Sequence, residues 1–192
     1  PGEPCLSGWC RFAILRRLMA FLLKCARLID TLSDWTGIAL RGVALALVGL
    51  GVINVMGRYL GARLGMQLSS NALLEAQTQA FAIIFLLGAA YLLRHDGHIR
   101  VDILQSRFSP RLRDWIDLLG SLLALVPFCA VMLLYGIDYV AVAWSRLEAS
   151  PNPGGLPLYP IKTVLLIGFM LLLLQGLSQA IKAAARIRGQ DA

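Results

Sequence analysis

The stretch RHDGHIRVD, residues 94–102, holds both histidines of the chain, with two aspartates and two arginines, between long apolar runs. Imidazole and carboxylate groups this close together could bind a metal ion or form a catalytic centre. His95 and His98 are three residues apart, so a continuous helix would bring them to one face. Helices commonly end near a glycine such as Gly97, however. The pattern therefore favours a turn, with Arg94 at the lipid headgroups, over a metal site.

Glu75 is an acid inside an otherwise apolar segment, where a charge is costly and is therefore a candidate for function. Gln79 lies one helical turn further on the same face. Arg58 ends the preceding apolar segment on the same side of the membrane, so an Arg58–Glu75 ion pair is expected. Glu75 is either a cation or proton site or part of a polar clasp that fixes assembly, and its shallow depth favours the clasp.

Several other polar and small residues lie within apolar segments and predict helix packing. Gln175 and Gln179, four residues apart, predict a polar stripe that faces protein, and Gly168 and Gly176 would allow a neighbouring helix to approach closely. The chain contains no P-loop, nucleophile elbow, zinc-protease motif or dinucleotide-binding fingerprint. No histidine lies within an apolar segment to bind haem. We therefore expect neither enzymatic activity nor a cofactor.

Four long apolar segments must position these residues. Hydrophobic residues make up 58% of the 192 and charged residues only 15%, with a mean hydropathy of +0.70, whereas soluble domains are about 25% charged. A bilayer requires about 20 apolar helical residues, and four segments meet this requirement: 37–60, 72–93, 115–144 and 160–181. The predicted fold class is an all-α integral membrane protein with four transmembrane helices, the third bent at Pro127.

The distribution of basic residues predicts the orientation of these spans. Fourteen of the 18 Lys and Arg residues lie on the side of the two termini and the second connection. Basic residues flank spans on the cytoplasmic side, so both termini are expected in the cytoplasm. The net charge of +7 then reflects membrane topology, and no nucleic-acid partner is expected.

The N-terminal region is too charged to span a bilayer by itself. Residues 12–34 are predicted to form a separate amphipathic helix in the inner interface, after a cytoplasmic tail at 1–11; a poorly ordered basic tail is the alternative. No small-residue cleavage site follows residues 12–29, so a signal peptide is not expected. The four-helix membrane domain is placed at 35–185, followed by a second cytoplasmic tail at 186–192.

The connection between the third and fourth segments reads EASPNPGGLPLYPIK, residues 148–162. Its four prolines and two adjacent glycines predict a stiff, non-helical loop. On the outer face this loop is either a docking surface or only a rigid corner where the chain re-enters the membrane.

These residues, in order, also resemble a known family. NVMGRYL (54–60), Glu75, FLLGAA (85–90), HIRVD (98–102) and SPNPGGLPLYPIK (150–162) are similar to the small membrane subunit of TRAP transporters, the DctQ-like family. The resemblance covers about residues 28–182. One departure is that NALLEAQT, at the start of the second segment, has one acid and no tryptophan, where the family often has paired acids and a tryptophan.

The resemblance implies ATP-independent uptake of an organic acid across the bacterial cell inner membrane. A periplasmic solute-binding protein would deliver the substrate to a large membrane subunit, which carries the substrate and ion sites. The present chain would be its non-catalytic scaffold, surrounded by membrane lipids. The residues expected to act in assembly or structure, by family position or by the reasoning above, are Arg58, Tyr59, Glu75, Gln79, His98, Asp102, Gly154, Gly155 and Pro157.

Three other functions remain open from the residues alone. An autonomous small transporter would work as a dimer with Glu75 as the coupling acid. A membrane anchor of a redox complex would require haem ligands inside the spans. The small subunit of a tricarboxylate tripartite system has a similar architecture, but its motifs fit less well.

Overall fold

The computed structural model describes residues 5–65, 70–95 and 109–187, with the side chains of residue 17 and of those from residue 19 onward except Pro110. Five α-helices run α1 Cys5–Leu64, α2 Asn71–Arg94, α3 Pro110–Leu119, α4 Val126–Ser145 and α5 Tyr159–Ile187. A π-helical segment, Gly120–Leu125, joins α3 to α4 without a break. No strand occurs in these ranges, where the only β feature is an isolated bridge between Ala149 and Pro157. The predicted all-α class is confirmed.

Four stretches of the described chain are long and apolar enough to cross a membrane. They are Met19–Leu64, Asn71–Arg94, Arg111–Ser145 and Tyr159–Ile187. Each contains one of the four segments expected from hydropathy. Helices suit this solvent because they satisfy their own backbone hydrogen bonds.

The prediction of a separate interfacial helix at 12–34 is wrong. The same residues belong to α1, which continues unbroken into the first span. No glycine or proline occurs between Gly8 and Gly37 to end the helix there. The inward face of this part is also packed rather than lipid-exposed: Met19, Ala26 and Ser33 are buried. Tertiary packing thus holds the region as a continuation of the first span within α1.

Helix α5 forms the centre of the molecule, since α1, α2, α3 and α4 all pack on it. Its small residues explain how they approach. A Cβ atom added to Gly168 would lie 2.9 Å from the carbonyl oxygen of Leu86 on α2, and one added to Gly176 would lie 2.4 Å from the Leu125 side chain. The close helix approach predicted for these two glycines is confirmed.

The third span changes helix type just before its proline. Within Gly120–Leu125 the hydrogen bonds reach back five residues, as in the bond from the Val126 N–H to the Ser121 carbonyl. Pro127 lacks an N–H and its ring collides with the carbonyl four residues earlier in a regular α-helix. The wider π-helical turn leaves room for the proline ring and does not require the missing N–H, so the helix changes type in the turn before Pro127. The bend expected at Pro127 stays a prediction.

Candidate functional site

The bundle has two ends, which carry separate groups of polar residues. The loop face is the end that holds residues 146–158, the loop between α4 and α5. The termini face is the opposite end, where α2 and α5 finish.

Glu75, near the start of α2, holds the 146–158 loop. Its carboxylate accepts hydrogen bonds from the Ser150 hydroxyl, from Asn152 Nδ2 at 2.8 Å and from the Leu156 N–H at 2.6 Å. Hydrogen bonds to a carboxylate are stronger than neutral ones. One acid therefore fixes three points of the loop, and we call this arrangement the loop clasp.

Two amides of α2 extend the loop clasp to either side of Glu75. Gln79 Nε2 donates to the Pro157 carbonyl at 3.1 Å, and Asn71 Nδ2 donates to the Pro153 carbonyl at 3.2 Å. Because Asn71, Glu75 and Gln79 are spaced four residues apart, they lie on one face of α2. This face is the surface over which the loop folds.

The two adjacent glycines of the loop serve different purposes. Gly154 has a φ of +71°, a conformation that other residues rarely adopt. A Cβ atom at Gly155 would lie 2.7 Å from Glu75 Oε2 and 2.5 Å from the Ser150 Cβ. Gly154 therefore makes the turn, and Gly155 lets the backbone approach the carboxylate.

A second set of contacts anchors the loop to α4 and α5. Lys162 Nζ lies 2.5 Å from Glu148 Oε2 and 4.2 Å from the centre of the Tyr139 ring. Trp144 Nε1 donates to the Thr163 hydroxyl at 2.8 Å. The start of the loop is thus bound to the beginning of α5, while the loop clasp binds its middle and end to α2.

The other candidates from the sequence lie elsewhere. The expected Arg58–Glu75 ion pair is wrong, because no such contact occurs among the described residues and the Glu75 carboxylate is directed to the loop. Tyr59 is 72% exposed on α1. His98 and Asp102 lie outside the described residues. His95 Nε2 lies 3.3 Å from Asp34 Oδ1, and no group of three or more potential metal ligands occurs within the described ranges.

A buried polar network near the termini face joins α1 to α5. Asp30 Oδ1 accepts hydrogen bonds from Gln175 Nε2 at 3.1 Å and from the Ser178 hydroxyl at 3.2 Å, and its other oxygen pairs with Lys182. The Ser33 hydroxyl donates to Gln175 Oε1 at 2.7 Å. Gln175 is completely buried. We call these five side chains the inner network.

The inner network was found only in part from the sequence. The predicted orientation of Gln175 toward protein is confirmed, and Gln179 likewise donates to the Leu93 carbonyl at 2.5 Å. Asp30 and Ser33 were missed because residues 12–34 were assigned to the lipid interface. One signal could have found them: Ala26, Asp30, Ser33 and Gly37 recur at helical spacing and are small or polar, which is typical of a packed face.

Two further ion pairs tie the helices together at the termini face. Arg94 Nη1 lies 2.8 Å from Asp34 Oδ2, which joins the end of α2 to α1. Arg186 Nε lies 2.6 Å from Asp114 Oδ1, which joins the end of α5 to α3. These polar groups bind other parts of the same chain and thereby connect the helices and the loop to one another.

The fold and its polar contacts define a multi-pass α-helical membrane protein whose charged groups connect its own elements. Residues 47–186 match the family described as "Tripartite ATP-independent periplasmic transporters, DctQ component". Because the match covers most of the chain, the protein belongs to this family of transporter components. Comparisons with curated proteins and with solved structures gave no match.

Proposed function

We propose that this chain is the small membrane subunit that holds the large subunit of a TRAP transporter in place, without carrying substrate itself. The observation that supports this proposal most directly is the loop clasp. A coupling acid must bind and release an ion, but the Glu75 carboxylate already accepts three hydrogen bonds from one loop. Release of these bonds during each transport cycle would free the loop, so a static role fits Glu75 better.

We also propose that the termini face lies in the cytoplasm and the loop face in the periplasm of a bacterial inner membrane. The described basic residues support this orientation. Those on the termini side are Arg17, Lys24, Arg27, Arg41, Arg94, Arg111, Arg113, Lys182 and Arg186. Cytoplasmic ends of spans carry the excess of Lys and Arg. The loop side has fewer, and there Lys162 is paired with Glu148.

On this orientation the 146–158 loop faces the periplasmic solute-binding protein. Pro151, Asn152, Pro153 and Gly154 are exposed, while the loop clasp fixes the backbone beneath them. A surface that is already ordered loses little conformational freedom on binding. We propose that this loop forms part of the surface on which the binding protein docks, and that the transported substrate is an organic acid.

The proposal is tested by uptake of labelled organic acids into proteoliposomes under an ion gradient. The chain alone should give no uptake, whereas the chain with the large subunit and the binding protein should give uptake. Glu75→Gln should leave measurable uptake in the complete system, because the amide oxygen still accepts hydrogen bonds from the loop. Uptake by the chain alone, lost on Glu75→Gln, would instead establish the autonomous transporter.

A further inference from the structure

A continuous stripe of exposed residues runs along α1, on the side opposite to its contacts with α2 and α5. Leu40 and Asn54 mark the packed side and are buried. The exposed residues recur every three or four positions and therefore share one face. We call this face the α1 stripe. Its members are Ile38, Arg41, Gly42, Leu45, Val52, Met56 and Tyr59, which are exposed, and Gly49, which is half-buried.

Arg41 is the unusual member of the α1 stripe, because it lies inside the apolar segment 37–60, close to the end of that segment on the termini side. Asp34, which pairs with the end of α2, is seven residues away, or about 10 Å along the helix. The side chain of the adjacent Leu40 lies next to Gly88, in the middle of α2. Arg41 is exposed, and none of the described residues forms an ion pair or hydrogen bond with it. A guanidinium stays charged, and a charge at this depth normally pairs with another group.

Two glycines of the α1 stripe are unexplained by the fold of this chain. A Cβ atom added to Gly42 or Gly49 would meet nothing within 4 Å, in contrast to Gly168, where the neighbouring helix is in contact. Glycine weakens a helix relative to alanine. The two lie seven residues apart, two turns on the same face, where they would allow another helix to approach closely. Together with Arg41 they make this face of α1 a positively charged surface with small residues.

We propose that the α1 stripe binds a transmembrane helix of the large transporter subunit, and that this helix carries a carboxylate at the depth of Arg41. The inference rests on the proposed function, since it identifies the face through which the scaffold acts. A second copy of this chain is a poor occupant. A two-fold axis along the membrane normal would place two Arg41 side chains at the same depth, and like charges repel strongly where the dielectric constant is low.

Lipid alone also fits the α1 stripe less well than a helix does. An arginine near the edge of a span can extend its charge to the headgroups, which would account for Arg41. Acyl chains do not require glycines at two positions of the same face, however. A helix bearing an acid explains both the charge and the small residues.

The contact is tested first by photocross-linking in native membranes in which the large subunit is expressed. A photoreactive side chain is placed at Leu45, which is 75% exposed on the α1 stripe, and in a control at Leu134, which is 69% exposed on α4. Leu45 should cross-link to one membrane helix of the large subunit, and Leu134 should not. Cross-links from Leu45 only to lipid, or to a second copy of this chain, would overturn the proposal.

Charge reversal then tests the role of Arg41. Arg41→Glu should lower the amount of large subunit that co-purifies by at least tenfold, and Arg41→Lys should retain most of it. Lys24→Glu, at an exposed cation of α1 about 25 Å nearer the N-terminus than Arg41, is the matched control and should have little effect. Reversal of the carboxylate on the cross-linked helix to lysine should restore co-purification with Arg41→Glu, which a general insertion defect would not allow.

The outcomes separate this inference from the proposed function. If the unaltered chain fails to co-purify with the large subunit, the proposed function is wrong. If it co-purifies and Arg41→Glu leaves the yield unchanged, only the assignment of the α1 stripe is wrong. If the reversed carboxylate fails to rescue Arg41→Glu, the ion pair at this depth is likewise refuted.

Discussion

Replacement of Asp30 by alanine should destabilise this protein more than any comparable change at its surface. Asp30 is 7% exposed and carries the inner network, in which it accepts hydrogen bonds from Gln175 and Ser178 and pairs with Lys182. Without its carboxylate, the Gln175 amide loses its acceptor, the Ser178 hydroxyl keeps only the Ala26 carbonyl, and the ammonium group loses its counter-charge. The packing of α1 on the end of α5 depends on these contacts.

The magnitude follows from the burial of each partner. Removal of one member of a buried ion pair costs about 3–5 kcal/mol. The Lys182 side chain is 29% exposed and can recover part of its hydration, so we expect about 2–4 kcal/mol for Asp30→Ala. For a chain of this size that loss lowers the melting temperature by about 4–16 °C. Asp30→Asn should lose less, because its amide oxygen still accepts a hydrogen bond.

The assay is thermal unfolding of the purified protein in detergent, followed by loss of helical circular dichroism. Asp34→Ala is the matched control, since Asp34 is one turn further along α1 and its pair with Arg94 is partly exposed. Such a pair contributes about 0–1 kcal/mol. Equal melting temperatures for Asp30→Ala and the unaltered protein would refute the structural role assigned to the inner network.

Three other predictions concern the loop clasp, the helix contacts and the topology. Glu75→Ala should increase hydrogen exchange of the 146–158 loop, measured by mass spectrometry, with little change elsewhere; unchanged exchange would contradict the clasp. Gly168→Ala should lower stability by about 1–3 kcal/mol through overpacking, whereas Gly120→Ala, whose added Cβ meets nothing within 4 Å, should not destabilise in the same melting assay. A cysteine at Ser106 should react with an impermeant maleimide only from the cytoplasm; labelling from the periplasm would reverse the orientation.

Hydropathy was sufficient to predict the class of the protein and the location of its spans. The expected segment at 72–93 differs from α2, Asn71–Arg94, by one residue at each end, because the lipid requires a nearly continuous apolar helix. The N-terminal part of α1 could not be predicted in the same way. Its cations indicated a lipid interface, but its inward face packs on α5 through residues such as Ala26 and Asp30.

The loop clasp shows a second limit of the sequence. Glu75 and Gln79 were identified because polar groups in an apolar helix require partners. The partner predicted for Glu75 was wrong. Arg58 was chosen because it is near Glu75 in sequence, whereas the actual partners Ser150, Asn152 and Leu156 are about 80 residues away. Only the path of the loop brings them to α2, and that path depends on Gly154 and Gly155 together with long-range packing.

The π-helical segment before Pro127 takes up one extra residue of the third span. A π-helical turn holds about one residue more than an α-helical turn, so deletion of one residue from Gly120–Leu125, such as Ser121, would let the segment close into a regular α-helix with α3 and α4 in nearly the same rotational relation. Asp114 would stay beside Arg186. Deletion of one residue from the regular part of α4, where each residue turns the chain by about 100°, would instead rotate α3 by about that angle and turn Asp114 away. The third span can therefore lose a residue at this level without changing which sides its two halves present to α5.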